Sequence, residues 1–375
     1  MDEEEKIYQL SLNMIHGVGT QLWKNLITDL GGGEARNVFK AKKKDLYSYI
    51  KNDIIIDDIL SKKHVHIAER VLRQHKNNNI SIVSFFEENY PWKLKQINDP
   101  PAFLYIKGEN TLNRKNIISI IGTRNPSAYG EINTEMFIRD LQYYDVIILS
   151  GMAYGIDVLA HINALKYGIP TSAIIACGID YIYPQQHKYL YDKILHQDGA
   201  IISEYPLGTK PEKYFFPARN RIIAGCSDAV LIIEAGDKSG TLITAMCAND
   251  YDRDVFAIPG DINKNTSLGC NKLIKKDIAH LVTSVEDIVY IMNWEKKNNC
   301  GQEQQNGNKN KEPILDENLN TVLNIIKQHQ DISLDSIAMK LNVTTSTLTS
   351  WILLLECRGL IKTLPGNRFK VLDLI

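Results

Sequence analysis

What most constrains this chain is a rhythm in its middle: short β-branched apolar runs end, one after another, at a glycine. They are 117–121 before Gly122, 146–150 before Gly151, 173–177 before Gly178, 200–203 ahead of Gly208, 229–235 before Gly236 and 255–259 before Gly260. Helical patterns such as 156–167 and 241–249 separate most of them. Continuous apolar runs suit strands buried on both faces, and their alternation with helices predicts a parallel sheet. The expected fold is α/β, a Rossmann-like doubly wound and mostly parallel sheet. In such a sheet the loops at the carboxyl ends of the strands gather along one edge. Glycine is favoured there because the chain turns sharply or lets a ligand approach its backbone.

Two breaks divide the chain. Before Lys76-Asn77-Asn78-Asn79, apolar residues recur at helical spacing, as in Leu10, Met14, Leu22, Leu26, Val65, Ala68 and Leu72. A second stretch, rich in Asn, Gln, Lys and Gly, has the composition of a flexible linker. The expected organisation is a small N-terminal helical domain (1–78), the Rossmann-like domain (79–294), a linker (295–312) and a C-terminal winged helix (313–375). Near the start, 15–23 resembles a helix–hairpin–helix built on Gly17 and Gly19; a plain turn between packed helices explains it as well. In the last module, 334–341 and 345–356 predict a helix-turn-helix, and 360–371 a wing turning at Pro365-Gly366-Asn367. Its candidate recognition helix carries no Arg, Asn or Gln in 345–355 to read bases. Arg358, Lys362, Arg368 and Lys370 lie beyond it.

Composition narrows the function. Among 375 residues the formal net charge is −1, so a nucleic-acid binder of this composition needs a local basic patch. No apolar run approaches a membrane span, and the start Met1-Asp2-Glu3-Glu4-Glu5 lacks an export signal. The six cysteines stand far apart without a C-x-x-C pair, which predicts neither a zinc site nor a disulfide framework. These features fit a cytoplasmic protein without membrane, metal or cofactor.

Four segments sit where the expected loops meet one sheet edge. Gly122-Thr123-Arg124 ends a strand shortly before a helix start, where free N–H groups and a forked cation favour an anion, although a tight turn with a surface arginine explains it as well. Ser150 to Asp157, with Gly151 and Gly155, surrounds another helix start. His161 lies one turn beyond Asp157, which predicts a helix-surface hydrogen bond rather than a catalytic pair. Lys213 to Arg221 sets Phe215 and Phe216 beside Arg219, Asn220 and Arg221; single strands are held by cations on phosphates and aromatic faces on bases, although a helix start with buried aromatics and solvated arginines explains the segment too. Arg219 and Arg221 point apart on a helix, leaving one for ligand and the other for a structural pair. Ser239, Gly240 and Thr241 offer amides and hydroxyls to a phosphate, although a capped helix explains them too. No P-loop or complete G-x-G-x-x-G occurs.

These segments, with 216–225, 239–245, 255–260 and 269–274, resemble the DNA-processing protein family, called DprA or Smf, in order and spacing over roughly 115–285. The resemblance implies a homodimer that coats incoming single-stranded DNA in natural transformation and helps load the RecA recombinase, with no catalytic residues. It places Arg124 and Lys213 to Arg221 in the DNA groove. Where that family usually has an arginine, this chain has Tyr154, so a positive charge is lost beside the groove. The apolar residues Leu268, Leu273, Ile274 and Ile278 are expected to lie partly between subunits. Two rival functions share the scaffold. One is a nucleoside-monophosphate phosphoribohydrolase, whose catalytic glutamate has no counterpart at Thr244. The other is a winged-helix transcription regulator.

Overall fold

A computed structural model describes residues 1–297, 317–328, 332–341, 343–357, 361–364 and 368–371. The apolar runs pair as a single sheet. Its strands are β1 (Ile80–Ser84), β2 (Phe103–Gly108), β3 (Ile117–Ile121), β4 (Ile147–Ser150), β5 (Thr171–Ile175), β6 (Ala200–Ser203), β7 (Ala229–Ile232), β8 (Asp254–Ala257) and β9 (His280–Leu281). Their order is β1-β2-β6-β5-β4-β3-β7-β8-β9. From β6 to β9 every pairing is parallel. β1 and β2 add an antiparallel edge that the sequence rhythm does not reveal.

All of Ile117–Ile121 is buried, as strands covered on both faces must be. Its one polar residue, Ser119, is satisfied by Ser227 across 2.5 Å. β3 connects onward to β4 on one side, and its other neighbour β7 connects onward to β8 on the opposite side. That is the topological switch point, where doubly wound sheets open a crevice. The connection from β6 to β7 crosses the intervening strands and carries helix Phe215–Cys226 with it. This crossover brings the aromatic-basic segment to the loop after β3.

The N-terminal segment is helical, with its longest helices at Glu3–Asn13 and Val65–Asn77. It shares a core with the sheet: Trp23 and Leu26 cluster with Phe103, Tyr105, Ile175 and Ile201. Residues Met1–Asn298 accordingly form one compact unit. At the expected hairpin, Gly17 has φ +92°, and an added Cβ would meet Ile55 at 2.8 Å. Leu273 is buried in this unit's own core, and Ile274 and Ile278 pack against it. Of the four residues expected between subunits, Leu268 is the exposed one, because its neighbours on helix Leu268–Lys275 complete the core beneath β8.

The second unit lies within Asn299–Ile375. Helices Glu317–Gln328, Leu334–Leu341 and Thr345–Cys357 enclose Val322, Ile326, Ile337, Leu348 and Leu355. Strands β10 (Ile332–Ser333), β11 (Ile361–Leu364) and β12 (Arg368–Val371) form an antiparallel sheet in the order β10-β12-β11, the wing expected of this module. From residue 298 onward the expected linker lies outside the described residues, as do Arg358 and the wing turn Pro365-Gly366-Asn367.

Candidate nucleic-acid interface

At the switch point the structure opens a cleft of about 830 Å³. Its lining joins the loop after β3 (Gly122, Thr123, Arg124), the segment Lys213 to Ile223, and the loop after β7 (Gly236 to Thr244). Arg124, Lys213 and Lys238 are exposed on its rim. Among the described residues Arg124 makes no ion pair; its guanidinium lies over the Phe216 ring, 5.9 Å from the centroid. Phe216 in turn meets Tyr183 at 5.6 Å. A guanidinium and two aromatic rings therefore follow one another along one wall.

Beneath this rim the backbone is locked. Thr123 donates its N–H to Glu234 O and accepts from Ile156 N. Gly155 has φ +79°, and a Cβ there would sit 2.3 Å from Thr123 O. Arg219 is buried and donates to Gly151 O and, at 2.6 Å, to Ile174 O. Asp157 accepts from the N–H groups of Ala153 and Gly151. Burial pushes its carboxyl up to about 6, against the opposing pull of Arg219. The two side chains share the space a Cβ on Gly151 would take, meeting it at 2.6 Å and 2.7 Å. Together they fix the loop after β4.

Several expected contacts fall elsewhere. The helix after β3, Ala128–Leu141, does not offer a free N-terminus, because the buried carboxylate of Glu234 accepts from Ser127 N and Oγ there. Ser150 is buried and donates to Ile120 O. Phe215 turns away and packs between Tyr205 and Tyr214. Arg221 faces the opposite side of its helix, held by Asp99 and Glu204. Thr241 Oγ1 is engaged with Gly122 O at 3.0 Å, and Ser239 Oγ donates to Thr241 Oγ1. Gly240 is exposed on the cleft, and Asn220 lines it while accepting from Arg219. His161 is not a surface group. It is buried against Thr171 Oγ1 at 2.7 Å, and burial drives its imidazole down to about 3.

A family model described as DNA recombination-mediator protein A matches residues 81–293, and a MarR-family model matches 317–367. Protein Smf of a Synechocystis strain is 31% identical over 99% of this chain and 100% of its own length. The chain belongs to the DNA recombination-mediator protein A family. The crystal structure of DprA from Streptococcus pneumoniae agrees with a TM-score of 0.66 at 32% identity, covering 79% of this chain and 99% of that one. DprA from Helicobacter pylori, described for a single-stranded DNA binding mode, gives 0.52 at 32% identity over 58% of this chain and 97% of that one.

Against the family's pattern, the position of Tyr154 is informative. Its ring packs edge-on against His187 and its hydroxyl donates to Gln186 at 3.0 Å. It thus supports the loop that carries Tyr183. Sequence reasoning missed Tyr183 and Lys238 as cleft residues. Tyr183 sits in no motif; its loop packs on the loop after β4 through Tyr154 and through His187, which faces Met152 O at 3.1 Å. Lys238 was within a recognised loop, and its charge beside Gly240 was the available signal.

Proposed function

We propose that the cleft is a groove for single-stranded DNA held without regard to sequence, and that the chain makes and breaks no bonds. The observation that carries this is the wall formed by Arg124, Phe216 and Tyr183, with Lys213 and Lys238 on the rim. Any phosphate suits the cations and any base suits the rings. Thr244 lines the cleft where a phosphoribohydrolase needs a carboxylate, and a threonine does not replace that group. The charges also meet the requirement set by a net charge of −1, since they are gathered locally.

Family membership extends the proposal. The chain would coat DNA entering in natural transformation, help load RecA, and act in the cytoplasm as a homodimer. Among the described residues no helix is long and apolar enough to cross a membrane. Exposed Ile243, Met246 and Leu268, on the helices that follow β7 and β8, supply apolar area for a second copy. Sedimentation at micromolar concentration should give a dimer; a monomer overturns that assembly. Binding to labelled oligo-dT and to a matching duplex across a salt series tests the groove. The single strand should bind more tightly, with log affinity falling linearly in log salt. Equal or tighter duplex binding would overturn the groove and favour the regulator reading.

A further inference from the structure

The cleft wall depends on a loop that is fastened from outside the sheet. Between β6 and helix Phe215–Cys226 the chain runs through 204–214, delivering Lys213 and then Phe216 to the cleft. Asp180 holds this loop from the sheet side, accepting Gly208 N with both oxygens at 3.0 Å, and Gly178 N donates to Thr209 O. On the other side stands His75, in the last turn of helix Val65–Asn77 and only 1% exposed.

His75 Nδ1 faces Val71 O at 2.7 Å. A carbonyl only accepts, so Nδ1 carries the proton. Nε2 is then free to accept, and it takes the N–H of Leu207 at 3.0 Å. Both partners select one neutral tautomer. Two residues earlier in the loop, the Tyr205 ring lies 4.0 Å from Phe215, the neighbour of Phe216. We propose that His75 is a positioning residue through which the N-terminal helices hold the aromatic-basic wall in its DNA-binding arrangement. This rests on the reading of the cleft as a single-strand groove.

The surroundings give the device a pH dependence. Val71 O lies on its own helix, the Tyr105 ring on β2 is 4.7 Å away, and the Asp180 carboxylate acts from the loop after β5. Burial lowers the imidazole's proton affinity, outweighing the hydrogen bond to Val71 and the charge of Asp180. A second proton would set N–H against N–H and release Leu207. The stabilisation is therefore present above the unfolded-state value and is lost as pH falls through the lower folded-state value.

The test compares the full-length wild type with His75→Gln and His75→Leu. Glutamine donates to Val71 O, accepts from Leu207 N and does not titrate; leucine fills the space and makes neither bond. At pH 8, H75Q should bind oligo-dT within about twofold of wild type. H75L should bind roughly tenfold more weakly, with faster amide exchange at Leu207, because a buried N–H loses its acceptor. As the pH is lowered from 8 through the imidazole's depressed folded-state value, wild-type affinity should fall relative to H75Q. Titration elsewhere cancels in that ratio. A folded H75L that binds like wild type, or parallel pH curves for wild type and H75Q, overturns the proposal. If H75L does not fold, the pH comparison alone decides. A wild type that binds no oligo-dT sinks the groove itself and is distinguishable from either outcome.

Discussion

On the rim of the cleft, Arg124, Lys213 and Lys238 stand exposed; on its floor, Arg219, Asp157 and Glu234 are buried. The floor charges are satisfied by fixed backbone groups: two carbonyls for Arg219, two N–H groups for Asp157, and the Ser127 amide and hydroxyl for Glu234. Rim and floor thus divide the work. The floor fixes loops whose backbone would otherwise be free to move, and the rim keeps its cations available. The family resemblance implies Arg124 and Lys213 to Arg221 for a DNA groove; of these Arg219 is buried, while Arg124 and Lys213 stand exposed.

The largest test of this division is Arg219→Ala. It strips two buried carbonyls of their donor and removes the charge beside Asp157. Stability should fall by about 3 kcal/mol, on the scale for breaking a buried charged contact. Chemical denaturation measures it. A stable R219A that changed only the salt slope of DNA binding would move Arg219 from floor to rim.

Asp157 gives a test with a defined sign. Its folded-state value is raised to about 6 from an ordinary 3.8, chiefly by burial. The folded state therefore holds the proton more tightly, and stability falls as pH rises from about 4 through about 6. Arg219 opposes this shift without cancelling it, since its donors are already engaged by Gly151 O and Ile174 O. Asp157→Asn keeps an acceptor for the two N–H groups and removes the titration. Its stability curve should be flatter across that window, by at most about 1.4 kcal/mol per pH unit. An unchanged slope across that window would mean that the Arg219 charge cancels the shift and keeps Asp157 ionised throughout it.

The sheet was legible because its parallel strands are buried on both faces, leaving unbroken apolar runs such as Ile117–Ile121. β1 and β2 were not, since their role depends on antiparallel pairing at the edge and on N-terminal helices packed over them. In the cleft, Arg124 and Phe216 were legible from their loops. The sorting of the other cations was not. Arg221 looks equivalent to Arg219 in sequence, but its partners Asp99 and Glu204 are distant along the chain. The Glu234 cap on Ser127 spans 107 positions, so the filled helix start after β3 carries no local signal.

The smallest expected effect is the sharpest test of the rim. Arg124 is exposed, makes no ion pair among the described residues, and touches the fold through the face of Phe216. Its removal should change stability by less than about 0.5 kcal/mol, as for other surface substitutions. Loss of one phosphate contact should shrink the slope of log affinity against log salt by roughly 0.7, the single-strand value. The weakening should be alike for all sequences, because a phosphate contact reads none. Arg124→Lys should restore the slope while recovering only part of the affinity, since the charge returns without the planar fork that lies over Phe216. Thermal melting and a salt series on the same purified variants separate these outcomes. An unchanged slope in a normally folded R124A would make Arg124 a bystander and move the groove off this rim. A lowered melting temperature with an intact slope would instead assign Arg124 to the floor's task of holding the loop.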